Sequence, residues 1–205
     1  VEVLLSGLDN AFGFRIEFPN FYNGEVGLET SRGIASYRYF QSLYQAWRIA
    51  KFAPGGKVLE IGGGLGRTAY YANKFGITDY TIVDIPLTGV SQAYFLFLTG
   101  IPVRLYREST GAGVRIVPPS VFYESDERYD MIVNVDSFTE MAAETAARYF
   151  DESSRRTEML LSINHEFNQH RIFDLIQNHP AVLHATREPY WLRRGYVHEM
   201  ISFKP

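Results

Sequence analysis

Lys57-Val58-Leu59-Glu60-Ile61-Gly62-Gly63-Gly64-Leu65-Gly66-Arg67-Thr68 is the stretch that decides how this chain is read. Val58 to Ile61 has the length and apolar content of a short buried strand. The glycines at 62, 63, 64 and 66 then make a turn with no side chains to hold a ligand off the backbone. Thr68 to Phe75 has helix-forming composition and stops at Gly76. Strand, glycine turn and helix in this order form the nucleotide-cradling unit of an open α/β sheet, where ligand atoms lie against bare main chain near a helix N-terminus.

The spacing selects among such cradles. A dinucleotide fingerprint, G-x-G-x-x-G counted from Gly62, would put its third glycine at position 67, which is Arg67. That argues against an NAD(P)-dependent oxidoreductase. The pattern present, Glu60-x-Gly62-x-Gly64-x-Gly66, resembles motif I of the class I S-adenosylmethionine (SAM) methyltransferases. The resemblance implies SAM as cofactor, with Glu60 near the methionine ammonium group and Gly62, Gly63, Gly64 and Gly66 along the ligand. A second element agrees. The β-rich run Asp79–Asp84 ends in a carboxylate 18 residues past Gly66, the place from which an acidic group accepts hydrogen bonds from ribose hydroxyls. Asp84 is therefore assigned to the ribose and Ile85 to the adenine.

At 205 residues the chain is long enough for one domain with a sizeable core. Hydrophobic residues at 46% against charged residues at 21% make it globular rather than disordered. A net charge of −3 without a long basic run argues against a nucleic-acid partner held by phosphate contacts. The absence of cysteine removes disulfides, thiolate chemistry and cysteine-based zinc sites. No apolar run reaches membrane-spanning length and no signal peptide is read, so no membrane partner is expected and a cytoplasmic location is the default. The chain opens on Val1 rather than Met, and upstream sequence is expected to precede it.

Residues 1–30 are broken by Gly7, Gly13, Pro19, Gly24 and Gly27 and are expected to be irregular, with at most a short strand at Phe14–Phe18. The domain proper is placed at 31–205. It opens with a helix whose apolar positions Ile34, Tyr37, Phe40, Tyr44 and Trp47 precede Pro54-Gly55-Gly56. Further strands are read at 79–84, 103–107, 129–136 and 158–164, with a short additional one at 114–117. Helices are read from Pro86 to Thr99, from Ser137 or Thr139 to Tyr149, and from Asn168 to Asn178. Ala181–Glu188 and Tyr196–Phe203 are joined by too short a loop to hold a crossover helix and must form an antiparallel hairpin. The expected fold is α/β: a doubly wound, mostly parallel seven-stranded sheet ending in that hairpin.

Four runs narrow the resemblance. Val58–Ala72, the TIVDIPL run ending at Leu87, the NVDSFTEM run Asn134–Met141 and the SINHEFN run Ser162–Asn168 together resemble the bacterial sugar O-methyltransferase family, over about residues 31–205. What this implies is a SAM-dependent enzyme that methylates a hydroxyl of a small-molecule or glycan acceptor. A SAM-binding scaffold that has lost catalysis is the alternative from a different functional class.

Ligands of open α/β sheets bind outside the carboxyl ends of the strands. That rule gathers Gly62–Gly66, Asp84-Ile85, Glu108-Ser109, Asn134–Asp136 and Asn164–Glu166 on one rim, with Asn134 assigned to the cofactor. Methyl transfer to a hydroxyl needs alignment and a base to take the proton. Asp136 and His165 are the two candidates, and both have structural readings, Asp136 as a helix cap and His165 as a hydrogen-bonded strand end. Glu140, three residues after Ser137, fits a capping box as well as an acceptor contact. Asp136, Glu140, Asn164 and Glu166 offer oxygens of the type Mg²⁺ takes, but nothing has the spacing of a metal motif and no metal is assigned. The final hairpin turn must lie on the same rim. Arg187, Arg193 and Arg194 there, with Tyr190 and Trp191, are assigned to an anionic sugar-containing acceptor, and Glu140 and Asn164 are further acceptor contacts.

Overall fold

A computed structural model describes residues 1–108 and 111–205. Ser109, placed on the binding rim by sequence, lies outside them. The glycine turn stands where the sequence puts it, between β3 (Val58–Ile61) and α3 (Arg67–Lys74). Tyr80–Val83 (β4), Met131–Val135 (β7) and Met159–His165 (β8) join β3 in the parallel core of the sheet. Strands β9 (Val182–Pro189) and β10 (Tyr196–Phe203) form the terminal hairpin, with β10 antiparallel to both β8 and β9.

Among the described residues the sheet has eight strands rather than seven. The order is β5-β6-β4-β3-β7-β8-β10-β9, with β5 at Val103–Leu105 and β6 at Val114–Val117. The short run at 114–117 is a full member: it pairs in parallel with β4, and β5 is pushed out to the edge. Burial explains the exchange. Val114, Ile116 and Val117 are buried, whereas Leu105 is half exposed, so the more apolar segment takes the inner position.

Side-chain alternation builds a core on each face. Val58, Met131 and Val133 pack with α2 (Tyr37–Phe52), α3 and α4 (Pro86–Leu98). Leu59, Ile61 and Ile132 pack on the other face with α5 (Pro119–Glu124), α7 (Ala143–Arg156) and α8 (Ile172–Asn178). By the same alternation Glu60 shares the Val58 face, beneath α2, α3 and α4.

Several local expectations are corrected. Residues 2–12 are a helix, α1, rather than irregular chain: Leu5, Leu8 and Phe12 recur at helical spacing and pack on the core, and Gly13 closes the helix in the left-handed conformation at φ 78°. Residues 28–35 form a small hairpin, β1 (Leu28–Thr30) with β2 (Gly33–Ala35), so the next helix starts at Tyr37. The helix expected after β7 is two, α6 (Ser137–Glu140) and α7, and α8 starts at Ile172 rather than Asn168. No helix of the described residues is long and apolar enough to cross a membrane.

Candidate functional site

A cleft of about 740 Å³ opens at the carboxyl ends of β3, β4 and β7. Its floor is the glycine turn. Gly62 has φ 76°, and a Cβ there would stand 2.3 Å from Ser137 Oγ, so the residue is restricted by both conformation and space. Gly64 differs. It also has positive φ, 54°, but a Cβ would meet nothing within 4 Å, and the residue lines the cleft with its backbone bare. Gly63 lines it too, while Gly66 caps α3 and packs on Leu96 rather than facing the cleft.

Two carboxylates stand on the floor. Glu60 is 2% exposed yet lines the cleft, and no cation pairs with it among the described residues. Burial raises its pKa to about 7, opposed by the hydrogen bond that the Tyr80 hydroxyl donates to Oε2 at 3.0 Å. Asp84, past the end of β4, also lines the cleft, and burial raises its pKa. Its Oδ1 accepts from the Ile85 amide at 2.8 Å and its Oδ2 from Gln92 Nε2 at 2.6 Å. Ile85 itself is 59% exposed and does not line the cleft; Leu87, Thr88 and Ser91 of α4 do.

Beyond β7 the cleft is lined by Asp136, Ser137 and Glu140, with Arg193 from the hairpin turn. Asp136 leaves β7 with φ 65° and ψ −45°, a conformation that non-glycine residues adopt at a cost of about 1–3 kcal/mol and that clusters at functional sites. Its Oδ2 accepts from Arg193 Nη1 at 2.8 Å, and the Arg193 guanidinium lies 4.0 Å from the centre of the Tyr196 ring. The hairpin turn thus reaches the cleft through one residue.

Other assigned residues are placed elsewhere. His165 does not line the cleft. Its Nδ1 accepts from the Phe167 amide at 3.2 Å, and its ring packs edge-on to Tyr196. Asn134 is fully buried and works as a clamp: Nδ2 donates to the Ile61 carbonyl and to Ser137 Oγ, and Oδ1 accepts from Phe138 N and Asn164 Nδ2. Asn164 is buried in the same network. Tyr190 is a core residue against Tyr44, Trp191 is 79% exposed, and Arg194 is exposed; none of the three lines the cleft. Glu166 pairs with Arg187 at 2.6 Å, so the four oxygen donors considered for Mg²⁺ are not assembled. Among the described residues no group of three or more acidic, histidine or cysteine side chains could hold a metal.

The sequence reading gives the helix before the glycine turn but assigns no site residue to it or to the N-terminal arm. Tyr37, Arg38, Gln41, Ser42 and Gln45 of α2 form one wall. The arm passes over α3 and α4: Tyr71 Oη donates to the Glu17 carbonyl, Tyr22 Oη to the Ser91 carbonyl, and Glu25 pairs with the cleft residue Arg67 at 2.6 Å. A polar stripe on α2 at spacing 38, 41, 42 and 45 was the available signal.

No protein-family model matches the chain, and no curated protein matches it in sequence. Solved structures match in fold. A mitomycin 7-O-methyltransferase aligns with TM-score 0.57 and 14% identity over 80% of this chain and 54% of its own. A ribosomal protein methylase from Lactobacillus delbrueckii subsp. bulgaricus aligns with TM-score 0.58 and 16% identity, covering 84% and 81%. Magnesium protoporphyrin IX methyltransferase from Synechocystis, with bound SAM, aligns with TM-score 0.57 and 14% identity, covering 81% and 80%. The chain spans about half the length of the mitomycin enzyme. At these identities the likeness is one of fold: this chain has the α/β fold of class I methyltransferases.

Proposed function

We propose that the chain is a SAM-dependent O-methyltransferase acting on a hydroxyl of a sugar or sugar-containing acceptor, either a small molecule or a glycan. The observation that carries this reading is Glu60. A carboxylate buried to 2% exposure, open to a glycine-floored cleft and lacking a cationic partner among the described residues, matches a ligand that brings its own positive charge. The methionine ammonium of SAM is such a charge. Gly63 and Gly64 leave room for the ligand against the main chain, and Asp84 stands where ribose hydroxyls are held. When bound, SAM supplies an electrophilic methyl group on sulfonium.

The chain's own work is then alignment and proton removal. Asp136 is the residue of the original pair that lines the cleft, and its carboxylate takes the acceptor's hydroxyl proton. Arg193 fixes the orientation of that carboxylate through the 2.8 Å bond. Polar side chains lining the same cleft, Tyr37, Ser42 and Glu140, suit a hydroxylated acceptor better than an apolar one. The four sequence runs that resemble sugar O-methyltransferases support the same acceptor class.

Calorimetry with SAM, S-adenosylhomocysteine and NAD, followed by a methyl-transfer assay over a panel of free and nucleotide-linked sugars, tests the reading. SAM and S-adenosylhomocysteine are expected to bind and NAD not. Tighter binding of NAD would overturn it, and tight SAM binding without turnover on any acceptor would favour the scaffold alternative.

A further inference from the structure

Helix α2 turns one polar stripe toward the cleft, and among the described residues one of its members lacks an acceptor and another lacks an ion-pair partner. Gln45 is used: its Oε1 accepts from Thr68 Oγ1 at 2.7 Å. Gln41, one turn earlier, is 8% exposed and lines the cleft, yet its buried amide nitrogen has no acceptor among the described residues. A buried donor left unpaired is costly, so a ligand group that accepts from it is favoured. Arg38 stands three residues before Gln41, on the same helical face. Its Nε donates to the Tyr37 hydroxyl at 3.2 Å, and no carboxylate lies within ion-pair distance of it among the described residues.

The surrounding charges explain why Arg38 is left over. The acidic groups nearest to it in electrostatic terms, Glu25 and Asp136, are already engaged by Arg67 at 2.6 Å and Arg193 at 2.8 Å. Glu60 and Asp84 belong to the cofactor end. Glu140 lines the cleft without a cation among the described residues and suits an acceptor hydroxyl. Among the described residues the cleft therefore offers one guanidinium without an ion pair beside one amide donor without an acceptor, a pairing that matches an oxyanion.

We propose that the acceptor carries an anionic group, a carboxylate or a phosphate, which Arg38 pairs with and Gln41 Nε2 donates to, so that α2 selects the acceptor. This relocates acceptor recognition from Arg194 and Trp191 of the hairpin to α2, and it rests on the methyl-transfer reading above. Arg38 and Gln41 act on selection, while Asp136 acts on the proton.

The test is a calorimetric titration of D-glucuronate, D-glucose 1-phosphate and D-glucose into the protein saturated with S-adenosylhomocysteine. At least one anionic sugar is expected to bind 10-fold or more tightly than glucose, and the two arms tell carboxylate from phosphate. Arg38→Gln should remove that preference, Arg38→Lys should restore part of it, and Gln41→Leu should weaken the anionic sugar with S-adenosylhomocysteine affinity unchanged. Equal binding of glucose and both anions, no binding of either anion, or a preference that survives Arg38→Gln would overturn the proposal. If S-adenosylhomocysteine itself does not bind, the methyl-transfer reading fails separately. The same sugars titrated into the ligand-free protein then decide the anion site by the same criteria.

Discussion

Arg193 Nη1 lies 2.8 Å from Asp136 Oδ2, joining residues 57 positions apart in the chain at the wall of the cleft beyond β7. The contact exists because β10 runs antiparallel to β8, with Tyr196 opposite His165. That register brings the turn before β10 to the carboxyl-end rim, where β7 delivers Asp136. The guanidinium is further held against the Tyr196 ring. A strained backbone at Asp136, a fixed carboxylate and an aromatic support for its partner fit the base proposed above.

Asp136→Asn should therefore lower turnover by about 10²–10⁴-fold and leave the affinity for S-adenosylhomocysteine unchanged. Single-turnover kinetics beside calorimetry measure both. Near wild-type turnover would remove Asp136 from the mechanism. His165→Ala, by contrast, is expected to keep its turnover, because the ring packs on Tyr196 outside the cleft.

Arg193→Ala should reduce kcat with a smaller effect on stability, within about 1 kcal/mol, since its pair with Asp136 is about a third exposed on both sides. Once Asp136 is Asn, removing Arg193 should cost little more. A double-mutant cycle reads this coupling, and fully additive losses in kcat would show that Arg193 acts independently of Asp136.

Glu60 makes the ligand-free protein sensitive to pH. Its pKa is about 7 in the folded chain against an ordinary value of 4.5, so the folded state holds this proton more tightly than the unfolded state. The contribution to stability is then fully present below 4.5 and is lost as pH rises through about 7, by roughly 3 kcal/mol. Melting temperatures of Glu60→Gln and wild type should diverge over that interval, with the variant the more stable at pH 8. SAM binding should shrink the wild-type slope and be weakened by the substitution. Parallel melting curves across this range would refute the assignment.

Gly62→Ala and Gly64→Ala should fail in different ways. At Gly62 the new Cβ would meet Ser137 Oγ at 2.3 Å under a positive φ, so a loss of folding stability of several kcal/mol is expected. At Gly64 the space is open, and only the conformational cost, about 1–2 kcal/mol, applies. That variant should fold but lose affinity for S-adenosylhomocysteine. Chemical denaturation and calorimetry on both proteins separate the two outcomes, and intact ligand binding by a folded Gly64→Ala protein would contradict the cradle.

Asn134→Ala should destabilise the fold by about 1–3 kcal/mol by leaving the Phe138 amide and Ser137 hydroxyl short of a partner. Unfolding in urea measures it directly. A stable variant that loses only cofactor affinity would reinstate Asn134 as a ligand contact.

Much of this protein is written in local sequence. The strand at Val58–Ile61, its glycine turn and the alternation of strands with helices are short-range patterns of burial and backbone freedom, and they appear in the structure where the residues put them. Glu60, Gly64 and Asp84 follow, because the end of a parallel strand and the turn after it determine where those side chains and bare backbone stand. Helix α1 is where local reading failed, because Gly7 interrupts the spacing of Leu5, Leu8 and Phe12 and the segment reads as irregular. What tertiary structure alone decided is which polar residues on the rim look inward. Asn134 and Asn164 leave the strand ends at the rim, yet they hydrogen-bond to each other inside the protein. Arg193 reaches Asp136 while its neighbour Arg194 stays in solvent, and the turn that separates them is closed by the Arg193 amide on the Tyr190 carbonyl and the Tyr196 amide on the Arg193 carbonyl. Gln41 and Arg38 become a wall of the cleft only because α2 packs across α3, and no periodicity within α2 states what its polar face will meet. Local sequence reports how each segment buries its own apolar side, and the site is made where several segments leave a space between them.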